Sequence, residues 1–112
     1  VIHFAGLKAV GESVQLPMRY WNVNLNGSRC LLEAMDAYGC HTLVFSSSAT
    51  LYGYPEAVPI PETAPIAPIN HYGHTKASVE QMLVTCTPVP RTPGGSLACA
   101  ISTLLAPIRP AA

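Results

Sequence analysis

Tyr72 and Lys76 stand four residues apart. On a helix that spacing puts both side chains on one face, one turn apart. An ammonium beside a phenol favours the phenolate, so Lys76 draws the Tyr72 pKa down from its ordinary value of about 10. A phenol tuned in this way serves as a general base near neutral pH. Alone, a Tyr-x-x-x-Lys pair is a weak signal, because solvated helix faces carry such pairs freely. Ser48 strengthens it. This hydroxyl follows the apolar run Thr42-Leu43-Val44-Phe45, and α/β sheets place ligand-contacting groups at strand ends. From there it can hydrogen-bond a substrate oxygen that Tyr72 deprotonates. Ser48, Tyr72 and Lys76 are the catalytic candidates, and Ser48 and Tyr72 also reach substrate.

A second strand end offers a cofactor contact. Val1-Ile2-His3-Phe4-Ala5 is apolar and stops at Gly6. Gly6 has no Cβ, so a cofactor can approach the backbone closely. Phe4, Ala5, Gly6 and nearby Lys8 are the candidates on this side. His71 and His74 flank Tyr72 without a third ligand, and read as surface or supporting histidines; no metal site is expected. Cys30, Cys40, Cys86 and Cys99 form no CxxC pair and no zinc spacing, and read as unpaired thiols.

These residues need elements to position them. Val1–Ala5 predicts a buried strand, which at residue 1 implies sequence upstream. Pro17 suits a first helical turn. Met18, Trp21, Leu25, Leu32 and Met35 then follow at helical spacings, with Gly39 as the cap. Asn22, Asn24 and Asn26 weaken that helix, and Gly27 is expected where another helix comes close. Met18, Trp21 and Met35 read as core. Thr42–Phe45 predicts a second buried strand, residues 53–70 a Pro-rich loop, and residues 72–83 a second helix. Strand, helix, strand, loop, helix favours a parallel α/β sheet.

Composition narrows the function classes. The chain has 112 residues, so it holds one small domain at most. Half of it is hydrophobic, 49%, which excludes a disordered charged chain. Six acidic and six basic residues cancel, which argues against a nucleic-acid partner. The apolar run at 96–108 is too short to span a bilayer, and no signal peptide is visible. A cytoplasmic protein is expected. The charge is unevenly spread: ten of the twelve charged residues lie in residues 1–80. Ten of the eleven prolines lie from Pro55 onward.

Residues 1–83 resemble the UDP-glucose 4-epimerases of the extended short-chain dehydrogenase/reductase superfamily. The resemblance rests on VIHFAGLKAVGESVQ at 1–15, FSSSATLYG at 45–53 and HYGHTKASVEQML at 71–83. It implies part of a Rossmann-type, doubly wound parallel sheet, with NAD as cofactor and a UDP-hexose as substrate. Tyr72 would take the proton of the sugar 4-hydroxyl while hydride leaves C4. Ser48 would hydrogen-bond that oxygen. Phe4, Ala5, Gly6, Lys8, Tyr72 and Lys76 would contact NAD, Lys8 towards the ribose. The family often forms homodimers through the helices that precede Tyr38 and follow Tyr72. Val23 stands where some members carry an NAD-contacting Asn, so that role is not transferred. His71 replaces a frequent Pro without removing a catalytic group. The glycine-rich phosphate turn, the N-terminal strands that carry it and the C-terminal substrate domain of the family are not in the sequence.

Two other readings stand beside this one. A nucleotide-sugar 4,6-dehydratase needs a carboxylate just after the strand-end hydroxyl, and Ala49 and Thr50 follow Ser48. A uronic-acid epimerase or decarboxylase shares the visible motifs. The third reading is no enzyme: a non-functional truncated product, or an interaction module.

Residues 84–112 read as a separate, atypical tail with no clear element, unable to supply the next sheet strand. In the family the catalytic helix leads to PGW…LRYFNPxGAHPxG. A shift of each codon back by one base lets Pro93-Gly94-Gly95 encode Pro-Gly-Trp. The same shift lets residues 100–111 encode Arg-Tyr-Leu-Asn-Pro-Leu-Gly-Ala-His-Pro-Ala-Gly. A frameshift near residues 83–84 is expected.

Overall fold

Thr42–Ser46 forms β2, the central strand of a three-stranded sheet. Its side chains alternate, so Leu43 and Phe45 turn to the helices and are each 1% exposed. Ile2–His3 forms β1 and Ala98–Ser102 forms β3, and the order is β1-β2-β3. Both pairings are parallel: Ile2 lies opposite Val44, and Thr42 to Ser46 lie opposite Ala98 to Ser102. Parallel neighbours need crossover connections, and helices provide both. The structure, a computed structural model, describes residues 1–86 and the backbone of residues 98–102. The stretches at 87–97 and 103–112, with most of the expected atypical tail, lie outside the described residues.

The first crossover contains α1 (Val10–Gln15), α2 (Pro17–Tyr20), a π-helical turn (Trp21–Asn26) and α3 (Gly27–Ala37). The second contains a 3₁₀ turn (Ala49–Tyr52), the Pro-rich loop and α4 (His71–Cys86). Met35 from α3 and Val79 and Leu83 from α4 pack on Leu43 and Phe45. Each such side chain, fully buried, stabilises the fold by roughly 1.5–3 kcal/mol. Gly39 has φ +65°, the left-handed conformation its place after α3 requires.

Several expectations are corrected. The segment at 1–5 is not a buried strand: only Ile2–His3 is strand, and Ile2 and Phe4 are each 65% exposed. The reason is position, since β1 is the edge of the described sheet. Helix α1 was hidden because Gly11 is a poor helix former. Met18 is exposed and Trp21 half-buried, while Tyr20 fills the core. The π turn explains this, because it shifts the helical phase away from a 3.6-residue period. Gly27 faces open space rather than a neighbouring helix. The tail does supply a strand, so β2 has a parallel neighbour on both sides. That strand was illegible because residues 98–102 are mostly small, and pairing with β2 selects their conformation.

Gly53 closes the turn after β2. Its φ is +58°, and a Cβ there would clash with the Ala67 carbonyl oxygen. Gly53→Ala therefore combines left-handed strain with a backbone clash. A loss of about 3 kcal/mol or more is expected, read as a lowered urea midpoint. An unchanged midpoint would mean that the Pro-rich loop does not pack on this turn.

Candidate active site

Lys76 is the point where the elements converge. It is 6% exposed, and its Nζ donates to the Ser46 carbonyl at the end of β2, at 2.9 Å. Nζ also lies 4.6 Å from the centre of the Phe45 ring. A Cβ built on Gly6 would lie 3.9 Å from the same nitrogen. The loop after β1, the end of β2 and helix α4 thus meet at one ammonium. Burial lowers the Lys76 pKa, because a desolvated charge is disfavoured. Tyr72 lies one turn earlier on α4 and is buried.

Ser48 caps the 3₁₀ turn. Its Oγ accepts from the Thr50 backbone N–H at 3.3 Å and from Thr50 Oγ1 at 3.0 Å. A hydroxyl has two acceptor sites and one proton, so Ser48 keeps its proton to donate. The same turn lies against α4. A Cβ on Gly73, the residue after Tyr72, would meet the Thr50 carbonyl oxygen at 2.9 Å. Gly73 is the close approach that sets the strand end beside the Tyr72 helix. Between Ser46 and Ser48, the buried Ser47 hydroxyl has no hydrogen-bond partner.

Two supporting residues escaped the sequence reading. Asn24, in the π turn, is 3% exposed. Its Nδ2 donates to the Leu7 carbonyl at 2.9 Å and to Thr75 Oγ1 at 3.1 Å. Its Oδ1 accepts from the Leu7 N–H at 2.8 Å. Thr75 in turn donates to the Tyr72 carbonyl at 2.7 Å. One side chain therefore ties the loop after Gly6 to the Tyr72–Lys76 helix. The only signal in sequence was three asparagines in a helix that should disfavour them.

His3 is the other. Ser28 Oγ donates to the Asn24 carbonyl at 2.6 Å, so the 2.9 Å contact from His3 Nε2 makes that nitrogen the donor. Burial, then the Lys76 charge, lower the His3 pKa below 6.5. Within that window the unfolded chain binds more protons than the folded one, so stability falls as pH drops through 6.5. The urea midpoint should fall more between pH 7.5 and 5.5 in the parent chain than in His3→Gln. Equal falls would remove His3 as the cause.

Of the remaining candidates, Phe4, Ala5, Gly6 and Lys8 are exposed on the loop after β1, and Gly6 lies against Lys76. His74 is exposed and His71 half-buried. Among the described residues, no cluster of three His, Cys, Asp or Glu side chains is placed to hold a metal. Cys30, Cys40 and Cys86 are free thiols. No helix among the described residues is long and apolar enough to cross a membrane.

The structure is a parallel α/β fragment, with a serine-rich strand end beside a Tyr-x-x-x-Lys helix, that matches Rossmann-fold epimerases. A family model described as GDP-mannose 4,6 dehydratase matches residues 1–89. The chain belongs to that family, the NAD-dependent epimerases and dehydratases of the extended short-chain dehydrogenase/reductase superfamily. UDP-glucose 4-epimerase 2 of Arabidopsis thaliana is 58% identical over 82 residues, which are 73% of this chain and 23% of the relative. The UDP-glucose 4-epimerase of Bacillus subtilis is 58% identical over 83 residues, 74% of this chain and 24% of the relative. The chain therefore spans about a quarter of the length of these curated relatives. The Brucella ovis UDP-glucose 4-epimerase, solved in complex with NAD, superposes with a TM-score of 0.75 at 44% identity. That match covers 76% of this chain and 26% of the other. Another UDP-glucose 4-epimerase crystal structure gives a TM-score of 0.80 at 36% identity, covering 90% and 29%.

Proposed function

We propose that residues 1–83 are the internal, catalytic part of the NAD-binding domain of a UDP-glucose 4-epimerase. In that reading the phosphate-cradling strands precede this segment and the uridine-holding domain follows it. The observation that carries the reading is the convergence of Gly6, the Ser46 carbonyl and Tyr72's helix on Lys76. It occurs in a chain 58% identical to such epimerases over this region.

The residues suit NAD. Gly6 leaves a Cβ-free approach beside Lys76, and the partnerless Ser47 hydroxyl offers a buried polar group at the neighbouring strand end. Phe4, Ala5, Gly6, Lys8, Tyr72 and Lys76 would hold it. When bound, NAD would supply the hydride acceptor and donor for C4 of the sugar. Tyr72 takes the proton of the 4-hydroxyl and returns it after the 4-keto sugar has turned over in the site. Lys76 brings its ammonium to the same strand end, one turn along α4 from Tyr72. Ser48, both acceptor sites filled by Thr50, donates to the 4-oxygen, where charge grows as the proton leaves. A UDP-hexose substrate, a homodimer built through α3 and α4, and a cytoplasmic setting with free thiols go with this reading. The dehydratase reading lacks its acid, since Ala49 and Thr50 bear no carboxylate and the Thr50 hydroxyl is engaged on Ser48.

The test is transplantation: residues 1–83 replace the matching segment of the Bacillus subtilis relative. UDP-galactose conversion to UDP-glucose is then followed in a coupled assay. Turnover comparable to the recipient is expected. The 112-residue chain alone should give none, because the phosphate turn and the uridine-holding domain would be missing.

We further infer that residues 84–112 are read out of frame. The family match ends at residue 89, inside this segment, so the inference rests on the codon shift alone. Reading the coding DNA one base back should restore the Arg-Tyr-Leu-Asn-Pro stretch from position 100. Its absence would overturn the inference.

A further inference from the structure

Lys76 poses a physical problem. It is almost fully buried, its charge is disfavoured there, and the reading proposed above needs it charged. Its carbonyl partner, Ser46, supplies one hydrogen bond for three ammonium donors. The other neighbour is Phe45, whose ring centre lies 4.6 Å from Nζ. Phe45 is itself held: it is 1% exposed, packs with Met35, Val79 and Leu83, and meets the His3 ring at 5.7 Å between centroids. The face of a fixed aromatic ring attracts a desolvated cation.

We propose that Phe45 is a positioning residue for Lys76, its ring face keeping the ammonium charged and seated at the end of β2. Ser46 fixes the direction of the ammonium and Phe45 supplies a surface of negative potential. Phe45 thereby acts on Tyr72 through Lys76 without touching substrate. The titratable groups around the ammonium are His3 on β1, which shares the Phe45 ring, and Tyr72 one turn earlier on α4. His3 with a lowered pKa is neutral at neutral pH, so it adds no repulsion there. The proposal rests on the reading of Lys76 as the partner of Tyr72, and its test does not depend on turnover.

The experiment uses the full 112-residue chain with mono-, di- and trifluorinated phenylalanine placed at position 45 by codon suppression. Fluorination withdraws charge from the ring face and nearly preserves its volume, so the core stays packed. The pKa of each lysine is read from acetic anhydride labelling against pH, with mass spectrometry. The chain has only two lysines, so exposed Lys8 is the internal reference. Across the series the neutral, reactive fraction of Lys76 at fixed pH should rise stepwise, about threefold to tenfold in total. Lys8 should not move. A flat series overturns the proposal, as does an equal shift at Lys8 or a Lys76 that titrates like Lys8 in the unmodified chain. A stepwise shift at Lys76 without epimerase activity in the transplanted enzyme would leave Phe45's role standing and reject the function.

Discussion

Tyr72→Phe in the transplanted enzyme is expected to cut epimerase turnover about 10³-fold, within the 10²–10⁴ that a positioned proton-transfer group contributes. The reason is local. Tyr72 sits one turn before an ammonium held by the Ser46 carbonyl and beside Gly6. Phe keeps the ring and the packing of a side chain that is 9% exposed, and removes only the proton acceptor. kcat and kcat/KM should therefore fall together, with UDP-sugar affinity little changed. A loss confined to KM would make Tyr72 a binding residue. An unchanged kcat would remove it from the chemistry.

Asn24→Leu is expected to cause the largest loss of stability. It leaves the Leu7 N–H and the Leu7 carbonyl without their side-chain partner and deprives Thr75 of its donor. A buried polar group left unsatisfied costs about 1–3 kcal/mol, so a total of roughly 3–6 kcal/mol follows. Against a whole-domain stability of about 5–15 kcal/mol, that is a large share. Urea unfolding of the transplanted enzyme reads it directly. A loss under about 1 kcal/mol would mean that water replaces Asn24 and that the loop after Gly6 is held by other contacts.

The difference between those two residues shows what sequence carries and what it does not. The placement of Tyr72 and Lys76 on one helix is legible because a four-residue spacing puts them a turn apart, and both are buried on α4. Thr42–Phe45 is legible because its apolar run marks a buried strand, and Leu43 and Phe45 are indeed buried. Asn24 is opaque because its value lies in tertiary partners at residues 7 and 75, and its own segment breaks the helical period with a π turn. Met18 was misplaced for the same reason: one extra residue in a turn rotates the apolar face. Ile2 and Phe4 are apolar yet exposed because burial depends on what covers an edge strand, which residue type does not encode. Strand β3 shows the converse, as its partner supplies the order that its own residues do not announce.

The uneven charge along the chain fits this division. The part that carries ten of the twelve charges also holds Ser48, Tyr72, Lys76 and the Asn24 network. An apolar core and a charged surface are kept apart where the chain matches the epimerases.

The decisive measurement is the turnover of the Bacillus subtilis enzyme carrying residues 1–83 of this chain in place of its own. Conversion of UDP-galactose to UDP-glucose within about tenfold of the recipient, lost on Tyr72→Phe, is the outcome required if this segment encodes an epimerase active site. A chimera that folds and retains NAD but does not interconvert the two sugars would contradict it.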